Sequence, residues 1–250
     1  MAVDYIPFRF PGIDSVRCAF QTRCGGAGGE GPFGGANISH DVGDAPDTVA
    51  ENRRLLMAGL GVDSWCELKQ VHGDVLVFDP SSVPPDAPGT TEADGAATDE
   101  PGRVLVIKTA DCQPILLAHA GGGHIAALHA GWRGNRMGFV QTGVARFCER
   151  YGLDPADVRA VRGPSLGPAM AEFVNFSMEW GPDWTRWHDA AARTMDLWSL
   201  TRHQLMQAGL SEGSIFGLDL CTHTLEGMFF SYRRENRCGR QASLIWITAE

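Results

Sequence analysis

Three consecutive segments between residues 103 and 130 are almost continuous in apolar residues, and they constrain the fold more than any other feature. They are RVLVIKT (103–109), PILLAHA (114–120) and HIAALHA (124–130). A strand with one face in solvent alternates between apolar and polar residues, whereas a strand covered on both faces loses that alternation. We therefore predict three largely buried strands.

Helices and strands follow one another along the chain without a regular alternation. The sequence predicts helices at 47–61, 134–152 and 200–210, and further strands at 16–22, 158–164, 229–234 and 243–248. A steady β-α-β order would favour a parallel α/β sheet, so this mixed order favours an α+β fold with mixed sheets.

Composition excludes several classes of protein. The net charge of −9 argues against the broad basic face of a general nucleic-acid binder. No apolar run approaches the ~20 residues that cross a membrane, and the start MAVDYIPFRFPG lacks the features of a signal peptide. The seven cysteines are scattered, odd in number and without a C-x-x-C motif, which favours reduced thiols. We expect a cytoplasmic protein with neither nucleic acid nor membrane as a partner.

Cys112 and His129 are predicted to face the same side of a hairpin. If strands 114–120 and 124–130 pair around a turn at 120–123, residue 112 lies opposite residue 131. His129 is two residues from position 131, so it is a diagonal neighbour of Cys112 at ~7 Å. The prediction depends on the register, since a shift of one residue sends His129 to the other face.

A thiolate and an imidazole together favour zinc or copper(I) over magnesium or calcium. A third ligand must come from elsewhere, and His72 is the best candidate because it lies beside a glycine at a predicted turn within 66–79. His40, His119 and His124 are the competitors. Three protein ligands and one open position are typical of catalytic zinc, whereas four ligands close a structural site. A buried thiol near a core histidine is the alternative that this pattern leaves open.

Short motifs along nearly the whole chain carry a resemblance to a known family. They are TRCGG (22–26), VGD (42–44), ENR (51–53), QVHG (70–73), EADGAAT (92–98), TADC (109–112), HAGWRG (129–134), RGPSLGP (162–168), CT (221–222) and FFSYRR (229–234). In this order they resemble the YfiH family, also called laccase-domain proteins, multicopper polyphenol oxidases or peptidoglycan-editing factors. The resemblance implies a four-layer α/β/β/α sandwich with mixed sheets in a single domain, residues 1–250.

The resemblance also implies a site and an activity. By position, the metal ligands of the family fall on His72, Cys112 and His129, with zinc as the cofactor and copper as an alternative. The implied activity is that of a purine nucleoside phosphorylase acting on adenosine, inosine, guanosine and methylthioadenosine, with adenosine deaminase activity beside it. Its small-molecule partners are purine nucleosides and phosphate. Where the family often has two cysteines and a tyrosine, this chain has Ala169, Met170 and Ala171.

Phosphorolysis needs an anion site, and the planar fork of an arginine suits phosphate oxygens. The candidates are Arg53, Arg23 and the cluster Arg233, Arg234, Arg237 and Arg240. Asn37 and His40, after the glycine-rich loop (24–35), are further candidate substrate contacts. The structural alternatives are a solvated basic edge for the cluster, turn chemistry for Asn37 and a loop position for His40.

Two other activities compete with the phosphorylase. A copper-dependent polyphenol oxidase of the multicopper type requires about ten histidines, many in H-x-H pairs, whereas this chain has eight histidines and no H-x-H. A cysteine hydrolase would use Cys112 as the nucleophile and His129 as the base, and it would need the thiolate free of metal.

Overall fold

The structure, a computed structural model, describes residues 1–249. The strands are β1 (Val3–Phe8), β2 (Val16–Gly25), β3 (Cys66–Glu67), β4 (Leu76–Phe78), β5 (Gly95–Thr98), β6 (Leu105–Thr109), β7 (Gln113–His119), β8 (Ile125–Ala130), β9 (Val158–Arg162), β10 (His188–Asp189), β11 (Thr194–Met195), β12 (Ile215–Gly217) and β13 (Gln241–Ile247). The α-helices are α1 (Pro46–Leu60), α2 (Trp132–Arg136), α3 (Phe139–Tyr151), α4 (Phe176–Glu179), α5 (Leu197–Gln207) and α6 (Tyr232–Glu235). None of the helices in residues 1–249 is both long and apolar enough to cross a membrane.

All the strands except β10 and β11, which pair with each other, form two large mixed sheets. The five-stranded sheet has the order β1-β2-β13-β6-β3, and the six-stranded sheet has the order β12-β9-β7-β8-β5-β4. The pairs β3–β6, β4–β5 and β9–β12 are parallel, while the other neighbours in these two sheets are antiparallel. The predicted α+β fold with mixed sheets is therefore confirmed.

The two sheets pack face to face, and helices cover their outer faces. Phe20 and Ile107 from one sheet and Leu116 from the other share the apolar layer between them. On the outer side of the five-stranded sheet, Leu56 of α1 belongs to a second apolar cluster. Helices α3 and α5 cover the outer side of the six-stranded sheet, where Phe147 lies in a third cluster. This is the predicted α/β/β/α order of layers.

The three apolar segments form the centre of this sandwich. Strands β6 and β8 are buried along their whole length, and β7 is buried except at His119. In the β7–β8 hairpin, Gln113 pairs with Ala130 and Pro114 pairs with His129. One step further along this register, residue 112 lies opposite residue 131, as the sequence predicted.

Two predicted elements are wrong in detail. Residues 229–234 form no strand: the Ser231 hydroxyl accepts from the Arg234 backbone N–H and caps the short helix α6. The helix predicted at 134–152 is divided into α2 and α3, because Gly138 between them adopts a left-handed conformation with φ 75°. Only glycine enters that region without steric cost.

A buried ion pair joins α1 to β3. The Arg53 and Glu67 side chains are fully buried, with Nη2 of Arg53 2.6 Å from Oε2 of Glu67. The same guanidinium donates to the backbone oxygens of Ile38 and Ala87. On its other side, Glu67 accepts from Nζ of Lys108 at 2.7 Å. Both charges depend on their partners, since neither has water to solvate it.

We predict that Arg53→Leu lowers the free energy of unfolding by about 3–5 kcal/mol, because it leaves Glu67 buried with one counter-charge fewer. The matched control is Arg54→Leu, since the Arg54 side chain is 54% exposed and surface changes usually stay within about 0.5 kcal/mol. Urea denaturation measures both. Equal effects would contradict a structural role for Arg53.

Candidate metal centre

Three side chains from separate segments converge on one point. The ligand atoms of His72, Cys112 and His129 all lie within 4.8 Å of one another. Cys112 Sγ is 3.8 Å from His72 Nε2. His129 is buried, Cys112 is half-buried and His72 is exposed, so the group is open on one side. Within residues 1–249 it is the only group of three or more His, Cys, Asp or Glu side chains close enough to hold a metal ion.

The buried carboxylate of Asp94 positions both histidines. It accepts from the backbone N–H groups of Val71, His72 and Gly73 at 2.7–3.1 Å. It is also 2.7 Å from Nδ1 of His129. His72 has a left-handed backbone conformation with φ 59°, which is costly for a residue with a side chain and is held here by the three hydrogen bonds. With Nδ1 of His129 bound to Asp94, Nε2 of that ring is available to a metal.

The loop before Cys112 is held in a similar way through Asp111. Its backbone is also left-handed, with φ 91°. The Asp111 carboxylate accepts from the Thr222 hydroxyl at 2.7 Å and from the Arg233 backbone N–H at 2.6 Å. Its carbonyl oxygen accepts from the backbone N–H of Leu166 at 2.9 Å. These contacts fix the direction in which the next residue, Cys112, leaves the loop.

The charges within the site favour a thiolate. Burial raises the pKa of the Cys112 thiol, but His129 and His72 outweigh burial and lower that pKa to about 6. Burial lowers the pKa of His129, but Cys112 and Asp94 outweigh it and raise that pKa to about 9. For Asp94, burial raises the pKa of the carboxyl, but the hydrogen bonds from His129 and Gly73 lower it below its ordinary value. An ionised thiol at neutral pH suits a metal ligand as well as a nucleophile.

The donor set fits zinc or copper. Zinc binds cysteine sulfur at ~2.3 Å and histidine nitrogen at ~2.0–2.1 Å, which places tetrahedral ligand atoms ~3.6 Å apart. The distance of 3.8 Å between Cys112 Sγ and His72 Nε2 is close to that value. One thiolate and two imidazoles do not suit magnesium or calcium, which prefer oxygen. Three protein ligands leave a fourth position free for water or substrate.

Gly131, the glycine before Trp132 in the HAGWRG motif, leaves room for this site. A Cβ atom at position 131 would lie 2.9 Å from Cys112 Sγ and 3.3 Å from His72 Cδ2. Cβ atoms essentially never approach another atom as closely as 2.9 Å, so any larger residue would displace Cys112 Sγ and crowd the ring of His72. At Gly134, three residues on, an added Cβ would meet its nearest neighbour at 3.7 Å, an ordinary contact.

Among the candidate arginines, Arg233 is attached to the loop that carries Cys112. Its backbone N–H is bound to Asp111, next to Cys112. Its guanidinium is exposed, lies 6.0 Å from the ring centre of Phe173, and makes no ion pair within residues 1–249. Arg23, in contrast, is 3.1 Å from the Glu235 carboxylate.

The other candidate substrate residues are held by contacts within the protein. Arg53 is fully buried and paired with Glu67, so the structure does not bring it to the metal cleft. Asn37 is buried, and its amide oxygen accepts from the backbone N–H groups of Ser39 and Arg240. His40 is half-buried, with Nε2 3.1 Å from the carbonyl oxygen of Pro85.

The candidates from the sequence did not include three residues that build the site, Asp94, Asp111 and Gly131. Each lies in a motif that carried the resemblance: EADGAAT, TADC and HAGWRG. Their position in those motifs was the available signal. Their roles depend on hydrogen bonds and close approaches between segments far apart in the chain, which no periodic pattern reveals.

We predict that Gly131→Ala weakens zinc binding at least about 10-fold, the effect typical of mutations beside the residues that bind a metal. The added methyl group displaces Cys112 Sγ and crowds the ring of His72, but it removes no ligand. Gly134→Ala is the matched control, and we expect it to leave the zinc affinity unchanged. Competition with a chromophoric chelator measures both, and an unchanged affinity in Gly131→Ala would contradict this geometry of the site.

Comparisons with known proteins give the relatives of the chain. Residues 17–248 match the family model described as multi-copper polyphenol oxidoreductase laccase. The Escherichia coli K12 protein named purine nucleoside phosphorylase YfiH is 34% identical over 96% of this chain and 97% of its own length. A purine nucleoside phosphorylase of Xylella fastidiosa Temecula1 is 39% identical over 84% of this chain and 83% of its own length.

Solved structures show the same fold. A Neisseria meningitidis protein superposes with a TM-score of 0.84 at 29% identity, covering 98% of this chain and 99% of that one. The Bacillus licheniformis hypothetical protein YfiH superposes with a TM-score of 0.83 at 27% identity, covering 93% of both chains. The chain therefore belongs to the YfiH family of laccase-like proteins.

Proposed function

We propose that this protein is a zinc-dependent purine nucleoside phosphorylase that acts on adenosine, inosine, guanosine and methylthioadenosine. Phosphate would attack C1′ of the ribose, the bond from C1′ to the purine would break, and the purine would leave with the electron pair of that bond. The observation that carries the proposal is the open-sided group of His72, Cys112 and His129. It is supported by relatives over nearly the whole chain whose names state this activity.

The residues of the site have distinct tasks in this proposal. His72, Cys112 and His129 hold the zinc ion, which when bound supplies a Lewis acid for a purine heteroatom or a water molecule. Asp94 keeps the ring of His129 and the turn of His72 in place. The thiol of Cys112 is already ionised at neutral pH, and the proton that metal binding releases comes from the ring of His129, whose pKa is raised to about 9.

The same open position supports the proposed adenosine deaminase activity. A zinc ion held by His72, Cys112 and His129 would supply an activated water for hydrolytic deamination at C6 of adenine. Water adds its oxygen at C6, ammonia leaves, and inosine is the product. This activity needs no phosphate, which separates it from phosphorolysis in an assay.

We predict phosphate-dependent release of hypoxanthine from inosine, with ribose 1-phosphate as the second product. Adenosine should yield inosine with or without phosphate, and adenine only when phosphate is present. Cys112→Ala should abolish both reactions without unfolding the chain, because it removes one metal ligand at the surface of the cleft. Chromatography of the products and urea denaturation measure the two effects. Full activity in Cys112→Ala would reject the metal centre and the nucleophile alike.

Arg233 is the residue we propose to bind phosphate. Its backbone is anchored to Asp111, beside Cys112, while its guanidinium is exposed. Among the six candidate arginines, Arg23, Arg234 and Arg53 are paired with carboxylates. Arg240 donates to the carbonyl oxygens of residues 238 and 239. An arginine without such partners breaks no ion pair or hydrogen bond within the protein when it binds an anion.

We predict that Arg233→Met raises KM for phosphate about 10- to 100-fold, the effect of one lost hydrogen bond to a charged group. KM for inosine should stay close to that of the wild type. Arg237→Met is the matched control, since Arg237 is an exposed arginine of the same cluster that lies over Phe33. Initial rates at varied phosphate measure the effect. An equal rise in both variants would point to net charge rather than a specific contact.

A second candidate function, cysteine hydrolase, is favoured by one observation. Cys112, His129 and Asp94 form a chain of thiolate, imidazole and carboxylate, as in nucleophilic catalysis. The metal content of the purified protein separates the candidates. Zinc favours the phosphorylase, and a protein free of metal that still turns over substrate favours the hydrolase. Copper together with phenol oxidation would favour the polyphenol oxidase.

A further inference from the structure

We infer that Gln70 is a positioning residue for the metal centre, because its side-chain amide couples the turn that carries His72 to the strand that leads to Cys112. The inference deepens the proposed function and rests on it for the presence of the metal. Within residues 1–249, its side-chain hydrogen bonds go to the Lys108 backbone and to none of the three ligands. It acts through the backbone of β6.

The Gln70 amide binds both backbone groups of a single residue. Its Nε2 donates to the carbonyl oxygen of Lys108 at 2.8 Å, and its Oε1 accepts from the Lys108 backbone N–H at 2.8 Å. Two opposed hydrogen bonds of normal length fix both the distance and the orientation of the two segments. Gln70 is two residues before His72, and Lys108 is four residues before Cys112.

The edge of the five-stranded sheet explains why an amide is needed at this place. Strand β3 pairs with β6 only at Cys66–Leu105 and Glu67–Val106. Beyond that point the chain turns away from β6, and the backbone of Lys69 forms an isolated β-bridge with that of Glu92. An unpaired backbone N–H and carbonyl at Lys108 would then remain at the edge. The Gln70 side chain takes the place of the missing peptide group and satisfies both.

The turn of residues 70–73 is consequently held from two sides. Asp94, which precedes β5 of the six-stranded sheet, binds the backbone N–H groups of residues 71–73. Gln70 binds β6 of the five-stranded sheet. The His72 side chain itself is exposed, so packing against neighbours does little to fix it. Without the two Gln70 hydrogen bonds, the turn keeps its attachments to the segment 91–94 but loses its link to β6, so His72 can move relative to Cys112.

Gln21 supplies a matched control for this role. It is a buried glutamine of β2 whose Nε2 donates to the carbonyl oxygen of Ala36 and whose Oε1 accepts from the Ala242 backbone N–H. Its amide therefore joins two segments in the same manner, but neither segment carries a metal ligand. Loss of either amide removes two hydrogen bonds to the backbone, so a purely structural role predicts similar effects for both.

The test uses the full-length Gln70→Met and Gln21→Met proteins, each stripped of metal and reloaded with zinc(II) or cobalt(II). Methionine keeps the length of the side chain and removes both hydrogen bonds. We expect Gln70→Met to bind zinc about 10- to 100-fold more weakly, the range for partners that orient metal ligands. Its cobalt(II) absorption bands should shift from those of the wild type. Gln21→Met should lower the thermal midpoint yet keep the wild-type zinc affinity and cobalt(II) spectrum.

A second variant keeps the test decisive if Gln70→Met does not fold. Gln70→Glu retains an acceptor for the Lys108 N–H but loses the donor to the Lys108 carbonyl oxygen, and we expect the same spectral shift. Wild-type affinity and an unchanged spectrum in either folded Gln70 variant would overturn the inference while leaving the proposed metal centre intact. If the wild-type protein itself binds neither zinc(II) nor cobalt(II), the proposed function fails first, and the positioning role fails with it.

Discussion

The buried carboxylate of Asp94 is the interaction on which the metal centre depends. It accepts hydrogen bonds from three successive backbone N–H groups around His72 and lies 2.7 Å from His129 Nδ1. A buried carboxylate is stable only when its charge is matched by donors, and this one has four. A single anion thus holds one ligand by its backbone and another by its ring. Orientation of ligands by such partners is a general feature of metal sites.

The position of the site follows from the way the sheets are connected. Cys112 lies where the chain passes from β6 in one sheet to β7 in the other. His129 lies on β8, and the His72 turn is bound by Asp94 on one side and by β6 on the other. The distances between the ligands consequently depend on how the two sheets face each other. The apolar layer between the sheets, with Phe20, Ile107 and Leu116, fixes how the two sheets pack against each other.

The sequence predicted the hairpin of the site well because a repeating local pattern encodes it. Continuous apolar residues identified β7 and β8, and the turn between them set the register that brings Cys112 and His129 to one face. The candidate substrate residues were harder to judge. Arg53 and Asn37 look like exposed polar side chains in the sequence. In the structure, Arg53 is buried against Glu67, and Asn37 is buried with its side-chain oxygen bound to the backbone N–H of Ser39. Their burial comes from segments distant in the chain.

By itself the sequence determined the α+β class, the buried central strands, the register of the hairpin and the set of residues with metal-binding chemistry. Those features depend on periodicity, turn residues and side-chain type, which can be read from residues close together in the sequence. Only the tertiary structure decided which arginine stays exposed, which carboxylate orients the site and how the turn of His72 is held. Each of those outcomes depends on a few hydrogen bonds or ion pairs between remote segments, such as His72 with Asp94. Such contacts have no fixed spacing along a chain, because the packing of the two sheets creates them.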